Sequence, residues 1–449
     1  MTTKVDTVSD AVAGMQGDWQ LIADLLGGTR AMRAAGERYL PKRPMEEASD
    51  YAARLGGATL FPALAETIKR LVGRVFSEPV GVNDDVPAWI AEEVLPDVDR
   101  QGRNLHVFAK EWFDEALSYG VSHVLVESPR ADGVRTRADQ RAAGLRPYLI
   151  RIHPERMLGW RETDGQLTQV RIRFDRTEDA GQFGTRRIEQ VRVYEIGRVQ
   201  TWEKNGEGEW ALVDDIATGL PRIPLIALYT QRTGMLTATP PLRELAHLNV
   251  KHWRMQSSND TLIDTASVPI LALSGVQDGD DVLIGAKHAV RLPPGAAMQY
   301  VEHSGAAIEA GRRALLDLVE EMRQAGAKLL QPVEGNRTAT EAREDASNDN
   351  STLGGMATQL QDTLNDVLDL IAEYRGEAAG GTVQLNPNLD PELDTATAIT
   401  DLLGLYREGI VSRPTVFEAA KRFGRVPDTV IWEDEQTLIG EDGPALGAL

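Results

Sequence analysis

Two periodicities divide this chain, and where each holds decides what is built there. At helical spacing, Val5, Val8, Val12, Met15, Trp19, Ile22 and Leu26 share one side of a helix expected over 5–26, weakened by glycines at 14, 17, 27 and 28. Further helices are expected at Met45–Leu55 and at Phe61–Phe76, whose apolar face is Leu64, Ile68, Leu71, Val72 and Val75. A short one should run from Val86 to Leu95, and a strong one from Leu105 to Tyr119 on Leu105, Phe108, Trp112, Phe113, Ala116 and Leu117. The period then falls to two. Val121–Glu127, Tyr148–His153, Val170–Asp175, Ile188–Tyr194, Gln200–Lys204, Trp210–Val213 and Ile223–Tyr229 alternate or run apolar between turns such as Asp164-Gly165 and Asn205-Gly206. That pattern predicts a mostly antiparallel sheet or small barrel over 121–230. The arginine- and alanine-dense stretch 129–146 reads as a solvated loop or short helix.

From Thr239 to Arg375 the helical period returns in three long segments around which the rest is organised. Thr239 offers an N-cap oxygen, and Pro240 and Pro241 suit a first turn because proline lacks only an N–H that has no partner there. Leu242, Leu245 and Leu248 step at helical spacing. The sequence then turns polar through Lys251, His252, Arg254, Gln256, Ser257, Ser258, Asn259 and Asp260 before Leu262 and Ile263. A helix polar through its middle is expected to face water or a partner's polar surface. Trp253, between His252 and Arg254, is a candidate interface anchor, with Arg254, Gln256 and Asn259 beside it. A second helix, 305–330, carries Ile308, Leu315, Leu316, Val319, Met322, Leu329 and Leu330 on one stripe. Between the two, 268–273 and 282–284 read as short strands. The third segment opens on a capping box, Thr338 to Glu341, and a kink is expected at Gly354-Gly355. Its stripe of Leu353, Met356, Leu360, Leu364, Val367, Ile371 and Tyr374 is that of a core helix. After a glycine-rich linker at 376–381, helices are expected at Ala396–Glu408 and, capped by Ser412, at Pro414–Phe423, where the folded part should end; the tail from Gly440 should be disordered.

With 449 residues the chain is long enough for about two or three substructures. Its 68 acidic residues against 48 basic ones leave a net charge of −20, which disfavours wrapping nucleic acid or adhering to an anionic membrane, but suits a wall past which DNA slides. There is no cysteine, so disulfides, thiolate metal sites and cysteine nucleophiles are excluded. The longest uncharged run, between Asp264 and Asp278, has 13 residues, short of the ~20 that span a bilayer; with no secretory signal at the N-terminus, a soluble protein is expected.

No catalytic constellation emerges. The phosphate-cradling loop with its Lys-Ser or Lys-Thr is absent, and Gly181/Gly184 and Gly206/Gly208 are read as hairpin turns. His247 and His252 are five apart, which puts them on different helix faces, whereas a helical zinc pair wants four. His153, beside Pro154 and Glu155, is either a strand-end structural residue or a base. Asp84-Asp85, Glu92-Glu93, Asp214-Asp215 and Asp280-Asp281 are adjacent in sequence, so their side chains diverge. No cofactor is expected.

The order of elements, together with Tyr39-Leu40-Pro41, the Tyr119-Gly120-Val121 turn, Thr237-Ala238-Thr239-Pro240-Pro241 and Asn336-Arg337-Thr338-Ala339-Thr340-Glu341-Ala342, resembles the portal proteins of tailed bacteriophages over roughly 35–425, and is most similar to a little-studied portal subgroup. The resemblance implies an α+β, portal-like fold: a helical N-terminal part of the wing at 1–120, a β-rich wing at 121–239, stem helices at 240–330 with a small α/β clip at about 267–301, a tunnel loop and following helix at 331–381, and a helical C-terminal crown at 382–449. It also implies a virion protein, assembled in the host cytoplasm into a ring of about twelve subunits at one capsid vertex. Double-stranded DNA would be packaged and ejected through the ring without sequence-specific contacts. The major capsid protein, the large terminase and the head-tail adaptor would be partners, with no membrane. Asn336, Arg337, Thr338, Thr340 and Glu341 would face the tunnel. The alternative is a hydrolase with a carboxylate site in the β-rich region.

Overall fold

The computed structural model describes residues 4–129, 145–267, 270–274, 297–301, 306–330, 351–387, 402–422, 425–426 and 430–441. Contacts divide the chain into two units, 1–389 and 390–449.

In the first unit, α1 (Asp10–Leu26) is capped by Ser9, whose hydroxyl accepts the Val12 N–H, and it buries Val12, Met15, Trp19 and Ile22 as the spacing predicts. Then come α2 (Gly28–Ala35), α3 (Ala48–Gly57) and α4 (Ala63–Val75), the last burying all five residues of its expected face. The region of the expected short helix at 86–95 departs from regular α geometry, with a π turn at Ile90–Val94 and a 3-10 turn at Leu95–Asp97 around Pro96. α5 (Leu105–Tyr119) has the predicted bounds, fixed by the Asn104 cap and by Gly120. Gly120 has φ of 88°, and a Cβ there would lie 2.7 Å from the Thr239 carbonyl, so only glycine suits the turn into the sheet.

That turn feeds β2 (Val121–Glu127), the middle of an antiparallel sheet between β3 (Tyr148–Ile152) and β9 (Leu225–Tyr229); a short β1 (Gly81–Val82) precedes it in the chain, and a short pair, β10 (Arg232–Gly234) and β11 (Thr237–Ala238), follows β9. Residues 121–126 are all buried, under α5 and α8 (Thr352–Glu373). The second sheet is a five-stranded meander of β4 (Met157–Thr163), β5 (Gln166–Ala180), β6 (Gly184–Glu195), β7 (Arg198–Lys204) and β8 (Trp210–Ala217). It is antiparallel, as expected, and open rather than barrel-shaped; β4 carried too little alternation to be foreseen. Glu127 joins the sheets, accepting hydrogen bonds from Tyr194 at 2.6 Å, Arg192 at 3.1 Å and Tyr148 at 3.2 Å. The architecture is α+β.

Two further expectations change. Ser351 caps α8, its hydroxyl accepting the Gly354 N–H, so Gly354-Gly355 fall in the first turn and no kink is needed; the proposed capping box at Thr338–Glu341 lies outside the described residues. The glycine run at 376–381 is no free linker. Gly380 passes so close to the Leu368 carbonyl that a side chain there would overlap it, and the chain continues into β14 (Val383–Gln384), paired with β1.

In the second unit the described residues include a helical run at 402–407 and the helix Arg413–Arg422, where the Thr415 N–H donates to Ser412 Oγ as the cap reading required. A last helix, Trp432–Glu441, continues past the expected end of the fold and through Gly440, and Trp432 packs on Phe417 with ring centroids 5.2 Å apart and the rings tilted by 57°.

Candidate functional site

The best-defined candidate is a two-helix arm. α6 (Arg243–Ala266) and α7 (Ala306–Ala327) lie antiparallel, with Lys251 and Glu321 3.7 Å apart at one level and Asn259 against Gly311 farther out. β12 (Ile270–Ser274) and β13 (Ala297–Val301) pair with one another at the far end. Thr239 does not cap α6. Its N–H bonds Gln231 O and its carbonyl abuts Gly120, so the helix begins at Arg243, whose N–H reaches Pro240 O, without a side-chain cap.

The inner half of α6 is sunk in the core, contrary to the expectation from its polar sequence. Leu245, Ala246, Asn249, Val250, His252, Trp253 and Ser257 are buried among α1, α3 and α4. Asn249 makes this possible, accepting the Leu64 N–H at 3.1 Å and donating to Phe61 O at 2.8 Å where α4 begins. A buried amide with both ends bonded suits a core. His252 packs on Phe61 with centroids 5.2 Å apart, and burial lowers its pKa.

Trp253 is 0% exposed, so it anchors this chain's own core and has no surface to offer a second copy. Of the residues grouped with it, Arg254 is exposed, its Nε donating to Tyr39 O at 2.7 Å. Gln256 bonds Asp260 at 2.7 Å, and Asn259 is wedged against Gly311 of the same chain. On α7 the buried face is Leu315, Leu318 and Met322. Leu316, placed on that stripe from the sequence, points away and is 57% exposed, because adjacent helical positions are about 100° apart. The outer half of the arm is different: over 258–266 and 306–314 no residue is buried, and Ile263 is 43% exposed. The candidate tunnel residues Asn336, Arg337, Thr338, Thr340 and Glu341 lie outside the described residues, as does most of the expected clip.

Elsewhere the titratable groups are absorbed into structure. Asp85 accepts from Thr382, Glu93 pairs with Arg375 at 3.0 Å and Asp215 pairs with Arg198. Asp280-Asp281 lie outside the described residues. His153 caps the turn at Pro154–Arg156, meets Tyr119 edge-on and is pushed down to about 4 by burial. Three carboxylates do converge, Glu111, Asp114 and Glu115 on one face of α5, in a cleft with His106, Lys110 and Arg151. The sequence signal was their i, i+3, i+4 spacing. Burial raises the pKa of Asp114 and Glu115, yet Glu111 is held by Arg103 and Arg151 at 2.9 and 3.0 Å and Glu115 by Ser122 and Arg151, the pattern of a structural ion-pair cluster. Among the described residues no three histidine or acidic side chains are placed to hold a metal, and no helix is long and apolar enough to cross a membrane.

Residues 241–375, the arm with the segment through α8, match a family described as a domain of unknown function (DUF4055). No curated protein matches. Among solved structures, the chain is similar at 15% identity and a TM-score of 0.44 to one described as the neck of an empty GTA particle computed with C6 symmetry, over 86% of this chain and 91% of that one. It is similar also to a chain of the virion of the native gene transfer agent (GTA) particle, at 13% identity, TM-score 0.43, over 92% and 99%, and to one of the neck of the native GTA particle computed with C12 symmetry, at 14%, 0.42, over 89% and 99%.

Proposed function

We propose that the chain is a head-tail connector component of a phage-like virion and, more specifically, a portal subunit: one of about twelve copies in a ring through which double-stranded DNA enters and leaves the capsid. The observation that carries this reading is the contrast along the arm. Its inner half is built into the core around Trp253 and Asn249, so the arm is held at a fixed angle, while its outer half buries nothing on its own chain. A helix pair that leaves Ile263 and Leu316 in water fits a place where neighbouring copies pack side by side. The net charge of −20 supports a conduit, since each phosphate held by a cation would add a salt-dependent attraction that resists sliding. In this reading the arm is the stem, and its far end, with β12 and β13, the clip that meets terminase and adaptor. Asn336, Arg337, Thr338, Thr340 and Glu341 approach the DNA. The hydrolase alternative has less behind it, because Glu127, Asp175, Glu178, Glu203 and Asp215 of the β-rich region are paired with arginines.

Light scattering with negative-stain imaging of the purified chain tests the proposal. Rings of roughly 0.6 MDa, about twelve chains of 49.2 kDa, are expected. A monomer at every concentration, including with scaffold or capsid protein present, would refute it. Within assembled particles, Arg337→Glu is expected to change packaged-genome length without dissolving the ring.

A further inference from the structure

The loop between Leu40 and α3 holds one apolar side chain out in water. Met45 is 99% exposed and has φ of 63°, a left-handed conformation that a side chain disfavours. The loop is nonetheless tightly held. Arg54 Nε and Nη2 donate to the two oxygens of Glu46 at 2.6 and 2.7 Å, Nη2 also reaches Pro41 O at 3.1 Å, and Glu46 accepts the Arg43 N–H at 2.8 Å. The Arg54 and Glu46 side chains are only 6% and 8% exposed, and Pro41 and Pro44 remove further freedom. A clamp of this kind around a bare methionine is the arrangement of a preformed contact, because the loop is ordered before any partner arrives.

The same loop lies on α6. Arg43 reaches Ser258 Oγ at 3.3 Å, and Arg254, one turn inward, donates to Tyr39 O. The core takes the Trp253 side of α6 and α7 takes the side of Lys251 and Asn259, so two flanks stay open. At about 100° per residue, Ile263 is half a turn round from Arg254, and Asp260 lies about 60° from Ile263 and about 120° from Arg254. One flank is basic: Lys42, Arg43, Arg54 and Arg254 stand against Glu46 and Glu47, and with Glu46 taken by Arg54, none of Lys42, Arg43 and Arg254 is in an ion pair among the described residues. The other is acidic and apolar. Ile263 is 43% exposed there, and Asp260 accepts from Gln256 at 2.7 Å with Asp264 one turn on; neither aspartate is in an ion pair among the described residues. The flanks stand at nearly one height, since Ser258 is about 3 Å from Asp260 and about 7.5 Å from Ile263 along the helix. Copies related by rotation alone meet at equal height along the ring axis, and unlike flanks are what a head-to-tail ring needs.

We propose that Met45 of one copy packs on Ile263 of the next, with Lys42, Arg43 and Arg254 turned toward Asp260 and Asp264 of that neighbour, so that the loop 41–47 braces each arm against the following one. This names a contact within the ring reading above and rests on it. Because the chain has no cysteine, the full-length double variant Met45→Cys/Ile263→Cys reports the contact directly when treated with a short bis-maleimide and run on a denaturing gel. The expected result is a ladder of linked chains climbing to the full ring, with neither single variant linking past a dimer. In parallel, Lys42→Glu/Arg43→Glu alone and Asp260→Lys/Asp264→Lys alone should each raise the concentration needed for assembly at least tenfold. An equal mixture of the two should assemble as the parent does, since opposite charges then face each other at every contact of an alternating ring. Charge variants that each assemble normally, with no ladder from the cysteine pair, overturn the loop contact and leave the ring standing. Variants that fail both alone and mixed place these charges within one chain and count against the contact. A ladder from open filaments rather than rings supports the contact and sinks the ring. A parent chain that stays monomeric, with no ladder, overturns both.

Discussion

The two halves of α6 have similar sequences and opposite fates. Asn249, His252 and Ser257 on the inner half are buried, while Asp260, Thr261 and Asp264 on the outer half are not. What separates them is packing: the inner half is enclosed by α1, α3 and α4, where the Leu64 N–H and the Phe61 carbonyl lie within reach of Asn249, while the outer half lies against α7, with Ser258 accepting from Arg43 at 3.3 Å. Polar residues do not by themselves keep a helix out of a core: Asn249 is bonded at both ends of its amide, while His252 Nδ1 and Ser257 Oγ are enclosed without a hydrogen-bond partner among the described residues. The inner half should therefore govern the stability of one chain and the outer half the association of many.

The largest effect expected from breaking that division is at Trp253. With the ring wholly enclosed, Trp253→Ala removes its contacts and leaves a cavity, for a loss of about 3–5 kcal/mol in a urea melt of unassembled chain. A loss below ~1 kcal/mol would mean the inner half is not core. Next is Asn249→Ala, which strands the Leu64 N–H in a dry site and leaves the Phe61 carbonyl with the Ala63 N–H alone, at about 2 kcal/mol, measurable in the same melt.

Acid should strike the enclosed region too. His123, in the middle of β2, is 1% exposed, and burial pushes its pKa from 6.5 down to about 4. Since the folded state holds that proton less tightly than the unfolded state, stability is intact above about 6.5 and falls as pH drops toward 4. The loss between pH 7 and pH 5 is on the order of 2 kcal/mol, with His153 adding in the same direction. Melts of the parent and of His123→Leu at the two pH values check this; a slope unchanged by the substitution would place the titration elsewhere.

How far the sequence could be read follows the same line between local and distant causes. α5 is foretold to the residue because Asn104 and Gly120, its two stops, sit next to it. Five of the strands lie within a few residues of their expected places because turns such as Asp164-Gly165 are local too. The burial of Trp253 was not legible, since the groups that satisfy its helix lie near Phe61, almost two hundred residues away. Thr239 looked like a cap for the same reason: its true partners, Gln231 and Gly120, come from a turn and a helix end that only the fold brings together. The arm itself was visible as two periodic helices around a strand-rich excursion. Its division into a fixed root and a bare end was not, because hydrophobic period records which face a helix hides and says nothing of how far along that face a neighbour extends.

The smallest effect on a single chain, and the sharpest test of the division, belongs to Ile263. It is 43% exposed on the outer half, so Ile263→Ala should change monomer stability by no more than about 0.5 kcal/mol. If the outer arms pack against one another in a ring, the same methyl groups are buried once per neighbour, and the loss recurs at every interface of a closed assembly. A change too small to see in one chain's melt should then appear as a clear rise in the concentration at which rings form, read by light scattering. Leu316→Ala, on the neighbouring helix and 57% exposed, should behave alike. Were both variants to assemble as the parent does, the exposed outer half would have to be accounted for by something other than its own copies.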